Sequence, residues 1–383
     1  MLTTTSAPDH DLVAGLVQPL YVLAEDGTRH PDPTLDPLLR DVDEELLTGL
    51  FLDMAVIRAL DDEAVALQRQ GELGLWPPLR GQEAAQIGLA RALPSTDFFF
   101  TSYRENGLAW CRGVSPGEML SVWRGTTLSG WDPFAHHMAT PQVIIGAQAH
   151  HAVGYAMATK AQGKDDIAVA CFGDGALSQG DLNEAMVFAA SFRAPVLFFC
   201  QNNQYAISEP VALQATVPIA LRPTGFGIPS LRVDGNDVLA MRAVSLFAAR
   251  HIRSGKGPMF IEAVTYRLGP HTTSDDPTRY RDEEELESWR RRCPIARLER
   301  HLEQLGTDVE QLRAEAKRRS LEATTALREA VTTLPEPAPE SLFENVLSTE
   351  HPGLVRQREQ FRAFRNSLAP EQADGQQTEG SSA

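Results

Sequence analysis

The sequence predicts an α/β protein: a doubly wound, mostly parallel sheet with helices on both faces, an N-terminal arm and a helical C-terminal region. Two observations predict it. Four short runs alternate with stretches of helical spacing: 167–172 and 196–200 are continuously apolar, and 231–233 and 259–264 are apolar but for Arg232 and Glu262, as expected of parallel strands covered on both faces. The chain has 383 residues, 43% hydrophobic and 22% charged, which is ample for one large globular core or two smaller ones.

Taken in order, residues 1–42 form an arm rich in Pro, Asp and Thr, with one apolar stretch from Leu16 to Leu23, suited to wrapping a partner or a neighbouring surface. From 43 to 70, Leu46, Leu47, Leu50, Met54, Ile57, Leu60, Val65 and Leu67 recur at helical spacing. The turn Trp76-Pro77-Pro78-Leu79-Arg80-Gly81 precedes a second helical pattern over 82–93. The strand at 167–172 ends in Gly173-Asp174-Gly175, a helix follows over 182–192, and Pro195 closes it before the strand at 196–200. The strand at 231–233 ends at Asp234-Gly235-Asn236, and a helix over 238–251 leads to the last strand. Residues 283–330 read as charged helix. The expected division is arm 1–42, α/β domain 43–335, C-terminal extension 336–367 and a disordered tail 368–383.

Thirty-five Lys+Arg against 51 Asp+Glu give a net charge of −16, the wrong sign for a protein that grips nucleic acid through its phosphates. No run of about 18 apolar residues offers a membrane span. Asp9, Asp11, Glu25 and Asp26 speak against a secretory or import leader, so a cytoplasmic setting is expected. The four cysteines, 111, 171, 200 and 293, lack metal or disulfide spacing and read as buried thiols. An anionic cofactor would need a local basic or metal-containing pocket.

Asp174 and Asn203 offer one. Each follows the carboxyl end of an apolar strand, and the 173–195 segment between them is long enough for a right-handed helical crossover. Both then emerge at the same edge of adjacent parallel strands, where doubly wound sheets bind ligands. A carboxylate with an amide oxygen suits magnesium, which keeps phosphate oxygens among its ligands. Gly173 and Gly175 let backbone approach a diphosphate at a helix N-terminus. Taken alone, Gly-Asp-Gly reads first as a plain turn and Asn202-Asn203 as a strand-end cap. The spacing and the two strands favour the metal–diphosphate reading.

These residues, continued as Asn202-Asn203-Gln204-Tyr205-Ala206-Ile207-Ser208, resemble the thiamine diphosphate motif. Between about residues 42 and 302 the chain resembles the alpha subunit of the decarboxylating component of 2-oxo acid dehydrogenase complexes. Further motifs that carry the resemblance are Arg80-Gly81-Gln82-Glu83-Ala84, Ser102-Tyr103-Arg104-Glu105, Ile144-Ile145-Gly146-Ala147-Gln148 and Gly269-Pro270-His271-Thr272-Thr273-Ser274-Asp275-Asp276. It implies the thiamine diphosphate-binding fold, with Asp174, Asn203 and the carbonyl of Tyr205 on magnesium. It also places Tyr103 and Arg104 on the diphosphate, where the planar guanidinium suits a bidentate grip. Gly173, Gly175 and Ala176 would line the diphosphate, and backbone of Val143 and Ile145 would meet the aminopyrimidine. Without the other motifs, Tyr103-Arg104 would read as a surface ion pair with Glu105.

His271 stands in a polar loop after a strand, and histidine is tunable near neutral pH. The resemblance gives it a part in acyl transfer to lipoyl, with the loop through Arg281 ordering around the cofactor. The pairs His136-His137 and His150-His151 read as structural or interface residues, since adjacent histidines rarely share one ion.

The resemblance further implies that the carboxylate activating the cofactor lies on a second, homologous domain. No such domain is evident here. The chain is therefore expected to be half of an active site, completed by a beta subunit in an alpha2-beta2 tetramer that serves a lipoyl-bearing acyltransferase component. Leu67-Gln68-Arg69-Gln70-Gly71 and Tyr266 to Asp276 look more like the branched-chain enzymes, for acids such as 3-methyl-2-oxobutanoate, than the pyruvate dehydrogenase type. Three departures stand out. Gln201 stands where branched-chain relatives place a basic residue near the diphosphate; Val143, Ile144 and Ala147 replace residues that hold potassium in the animal enzymes, so that site is not expected; Thr272 replaces the serine phosphorylated in the animal enzymes, so kinase control is not expected. A nucleotide- or sugar-phosphate enzyme would not need Tyr103-Arg104 or the His271 loop, and a non-catalytic scaffold would not need an intact ligand set.

Overall fold

The computed structural model describes residues 16–127, 129–344 and 346–368. The first 15 residues of the expected arm, and the expected disordered tail from 369 onward, lie outside the described residues. The chain divides into two compact units, one ending at Leu334 and the other beginning at Pro335.

The first unit holds the strands β1 (Phe98–Phe100), β2 (Ala168–Gly173), β3 (Val196–Asn202), β4 (Tyr205–Ala206), β5 (Glu209–Pro210), β6 (Ser230–Asp234) and β7 (Met259–Val264). β4 and β5 make a small antiparallel hairpin; the other five form a parallel sheet in the order β1-β2-β3-β7-β6. Alternate residues of each strand enter different cores. Val169, Cys171, Leu197, Phe199, Met259 and Ile261 belong to one apolar cluster, and Ala168, Ala170, Phe172, Phe198, Cys200 and Phe260 to the other. Helices cover both faces, so the strands are mostly apolar, with the buried Glu262 of β7 and Arg232 of β6 among the exceptions. The doubly wound parallel architecture stands.

The first core is closed by the Glu44–Arg69 and Val238–His251 helices, and the second by Ala147–Ala161 and Gly180–Phe192. Asp43 caps the first of these, accepting from the Leu46 amide at 2.9 Å, and Leu47, Leu50, Met54, Ile57, Leu60 and Leu67 form its buried stripe. The charged stretch after 283 resolves into three helices, Glu283–Arg291, Pro294–Leu305 and Val309–Thr333. Among the elements that escape sequence reading, two do so for want of hydrophobic contrast. β1 is only three residues long, and the Ala147–Ala161 helix buries Ala149, Ala152, Val153 and Ala156, whose small side chains give little contrast between faces.

From Leu16 the arm lies on its own chain. Leu20 donates to Arg232 O and accepts from the Asp234 amide, both at 2.9 Å, extending the sheet beside β6. No helix among the described residues is long and apolar enough to cross a membrane. All four cysteines are free; Cys171 and Cys200 are buried, Cys111 and Cys293 partly so. In the second unit, Phe343 meets Phe361 of the Pro352–Leu368 helix, with ring centroids 5.6 Å apart.

Candidate active site

Four chain exits converge at the carboxyl edge of the sheet. Gly173 of β2 is in register with Gln201 of β3, and Asn202 with Val264 of β7. Asp174 and Asn203, the next residues on their chains, therefore stand side by side. The loop after β1 brings Ser102 to Glu105, and the loop after β7 brings Arg267 and His271. Together with residues 143–148 they enclose a cavity of about 510 Å³. Every residue singled out from the sequence lines it: Asp174, Asn203 and Tyr205; Tyr103 and Arg104; Gly173, Gly175 and Ala176; Val143, Ile145 and His271.

The oxygen-rich pole is buried. Asp174 is 2% exposed and accepts from Gln214 Nε2 at 3.2 Å; burial raises its carboxyl to about 6. Asn203 Oδ1 accepts from the Tyr205 amide at 3.4 Å, and its amide donates to Gln82 Oε1 at 3.3 Å. The Tyr205 carbonyl accepts from Arg267 Nη1 at 3.3 Å. A Cβ on Gly175 would lie 2.7 Å from Ala206 Cβ, so β4 can rest on the Gly-Asp-Gly turn only because that residue has no side chain. Among the described residues no three His, Cys, Asp or Glu cluster as metal ligands. The donors here are one carboxylate, one amide oxygen and one carbonyl, a hard set.

Arg104 is not in a surface ion pair. Both it and Glu105 are buried, at 5% and 4% exposure. Arg104 Nη1 donates to Pro78 O at 2.6 Å and Nη2 to His271 O at 2.9 Å. Glu105 accepts from Ser102 Oγ at 2.8 Å and Gln201 Nε2 at 2.6 Å, and burial raises its carboxyl. Gln201 is fixed in turn by Gln86 Nε2 at 2.9 Å. Glu105, Gln201 and Gln86 thus form one buried hydrogen-bonded network.

His271 Nδ1 faces two guanidiniums, Arg104 Nη2 at 3.2 Å and Arg267 Nη1 at 3.3 Å. Burial and these two charges push its pKa to about 3, against the weaker pull of Asp275. Sequence alone suggests tunability near neutrality; the structure holds this imidazole neutral, with Nδ1 as acceptor and the proton on Nε2. The loop is braced: Asp275 Oδ2 accepts from the His271 amide at 2.7 Å, and Arg281 reaches the carbonyls of Arg267, Leu268 and Gly269.

Sequence reasoning missed Arg267, Gln82, Gln86, Gln148 and the apolar lining residues Leu75, Pro77 and Trp123. Arg267 carried a usable signal, a cation three residues past a strand at the binding edge. Gln82 and Gln148 lie in resemblance motifs that gave them no site role, and Gln86 carried no signal. The paired histidines do not converge on an ion: His136 Nδ1 lies 3.1 Å from Arg112 O, His137 Nδ1 3.3 Å from Thr96 O, and the His150 ring meets Phe188.

A family model described as "Dehydrogenase E1 component" matches residues 53–340. The chain is 46% identical over 358 residues to a 3-methyl-2-oxobutanoate dehydrogenase subunit alpha of Mycobacterium tuberculosis, covering 93% of this chain and 96% of the relative. It is 38% identical over 289 residues to a pyruvate dehydrogenase E1 component subunit alpha of Staphylococcus epidermidis, covering 75% and 77%. The subunit of that name from Staphylococcus aureus is 39% identical over 273 residues, covering 71% and 74%.

Proposed function

The chain belongs to the dehydrogenase E1 component family, and on that premise we propose that it is the alpha subunit of a thiamine diphosphate- and magnesium-dependent 2-oxo acid dehydrogenase. Its substrate is a branched-chain acid such as 3-methyl-2-oxobutanoate, which it decarboxylates oxidatively. The acyl group passes to the lipoyl group of an acyltransferase component. The observation that carries the reading is the gathering of all the motif residues around one cavity at the carboxyl edge of the sheet.

The residues present fit the cofactor. A carboxylate buried without a cation is costly, and the raised Asp174 carboxyl is what a divalent ion would relieve. Asp174, Asn203 Oδ1 and the Tyr205 carbonyl would hold magnesium. Tyr103 and Arg104 would hold the diphosphate, Gly173, Gly175 and Ala176 would line it, and Val143 and Ile145 would meet the aminopyrimidine through their backbone. When bound, thiamine diphosphate supplies the carbanion stabilisation that decarboxylation needs.

The chain's own contribution is positional and electrostatic. Arg104 and Arg267 keep the positive pole of the cavity fixed, and His271 keeps a proton on Nε2, the ring nitrogen turned away from both guanidiniums. That proton is available during acyl transfer. Exposed Val143 and Ile144, and Ile207 across the mouth, are 63%, 72% and 58% exposed, an apolar rim that a beta subunit in an alpha2-beta2 tetramer would cover.

The test is co-expression with the beta partner, then turnover of 3-methyl-2-oxobutanoate and pyruvate with an artificial electron acceptor. A kcat/KM ratio of about ten or more for the branched acid, roughly 1.4 kcal/mol, is expected. The reverse preference makes it a pyruvate dehydrogenase subunit, in line with the staphylococcal relatives. Negligible turnover by the isolated chain is also expected; robust activity alone would refute the shared site. A scaffold subunit would bind no thiamine diphosphate even with the partner present.

A further inference from the structure

The cavity is two-ended. Besides the oxygen-rich pole its lining includes an apolar wall, formed by Leu75, Pro77 and Trp123. This wall stands on the His271 side. The Trp76 amide donates to Thr273 Oγ1 at 3.0 Å, and the Thr273 amide donates back to Trp76 O at 2.9 Å. Residues 75–77 are thereby zipped to the loop that carries His271.

Trp123 is held in place from two sides. Its ring meets Trp76 edge-on, with centroids 6.1 Å apart and planes at 75°, and its carbonyl accepts from the Gly74 amide at 2.9 Å. It lies in the last turn of the Pro116–Arg124 helix, which ends on Gly125 in the left-handed conformation. A ring fixed at a helix end and braced by a second indole is a stiff wall.

We propose that Trp123 determines which acyl chains the enzyme accepts. This rests on the decarboxylase reading above. With the diphosphate and metal at the oxygen-rich pole and the reacting carbon near His271, the side chain of the 2-oxo acid needs apolar lining within reach of that histidine. Leu75, Pro77 and Trp123 supply it, and Trp123 has the most bulk to lose. An indole there leaves room for a short branched chain and excludes an aromatic one. Apolar pockets discriminate weakly per methylene but strongly against a chain that does not fit.

The experiment uses the alpha2-beta2 holoenzyme with thiamine diphosphate and magnesium. It compares kcat/KM for 3-methyl-2-oxobutanoate and 3-phenyl-2-oxopropanoate in wild type, Trp123→Ala and Trp123→Phe. The wild type prefers the branched acid. Trp123→Ala moves the ratio about tenfold or more toward the aromatic acid, and Trp123→Phe moves it less, in the same direction. The rise in melting temperature on adding thiamine diphosphate and magnesium stays as in wild type. Should the alanine variant not fold, the phenylalanine variant decides. A ratio within about twofold of wild type in an active variant overturns the inference and leaves the decarboxylase reading intact, as does loss of the cofactor-induced melting shift. No turnover of any 2-oxo acid by the wild-type holoenzyme overturns both.

Discussion

Arg104 grips His271 by backbone and ring together: its Nη2 donates to the His271 carbonyl at 2.9 Å and faces Nδ1 at 3.2 Å. With Arg267 Nη1 also against Nδ1, a proton on that nitrogen would meet two cations. His271 is thus neutral across the physiological range. Its pKa falls from 6.5 to about 3 on folding, so between those values the unfolded chain binds the extra proton. Stability must fall as pH drops through that window. Asp61, raised to about 7 by burial, works in the opposite sense between about 4 and 7. The comparison that isolates the histidine is therefore wild type against His271→Gln. We predict that the stability difference between them shifts toward the variant as pH is lowered from 7 to 4. Denaturant melts at several pH values measure it; a pH-independent difference would refute the prediction.

Burying Asp174 serves ligand binding and not stability, because no ion pair among the described residues compensates its carboxylate and Arg267 offsets the cost of burial only in part. Asp174→Asn removes that charge with little change in shape. The ligand-free variant is expected to melt at or above wild type, and to show no melting shift with thiamine diphosphate and magnesium. Asn203→Ala is expected to lose the shift as well. A variant that keeps the wild-type shift would remove Asp174 from the metal set.

Asp61 supports the site from behind. Its carboxylate accepts from Trp76 Nε1 at 2.8 Å and from the Leu79 and Arg80 amides at 3.0 and 3.1 Å. That fixes the turn whose Pro78 carbonyl seats Arg104. Asp61→Ala strands three donors, at about 1–3 kcal/mol for each buried one left unpaired. A loss of about 3 kcal/mol or more is expected, with a raised KM for the cofactor. A stability loss with cofactor binding untouched would show that the turn keeps its shape without Asp61.

The parallel sheet was legible because its strands are buried on both faces, so 167–172 and 196–200 stand out as unbroken apolar runs, and 259–264 as a run broken only by Glu262. The catalytic edge was legible because Asp174 and Asn203 sit two and three residues past the first two of these runs. What stayed hidden has a common cause: it depends on contacts made far along the chain. Gln201 is held in place by Gln86 and Glu105, 115 and 96 residues away. Likewise, the low pKa of His271 requires Arg104, 167 residues before it. A helix lined with alanine and a three-residue strand hide for a local reason, since neither shows hydrophobic contrast.

The arm gives the last prediction. Asp237 Oδ2 accepts the amides of Val22 and Leu23, each at 2.6 Å, while Oδ1 caps the Val238–His251 helix through Leu239 and Ala240 at 3.0 and 3.1 Å. Val22 and Leu23 are 0% and 1% exposed. One carboxylate thus joins a helix cap to a segment 214 residues away in sequence. Asp237→Ala removes a cap, at about 0.5–2 kcal/mol, and leaves two buried amides unpaired as well. The arm also carries Leu20, which pairs with the outer edge of β6; an uncovered parallel edge is an invitation to intermolecular pairing. The variant should lose about 3 kcal/mol, and protease should reach the segment around Leu20 to Leu23 well before the rest of the unit. Light scattering should rise on warming as the β6 edge is exposed. Limited proteolysis with mass analysis of the first fragments checks this. Cleavage first elsewhere would mean that the arm is held chiefly by its apolar contacts, with Asp237 serving the helix alone.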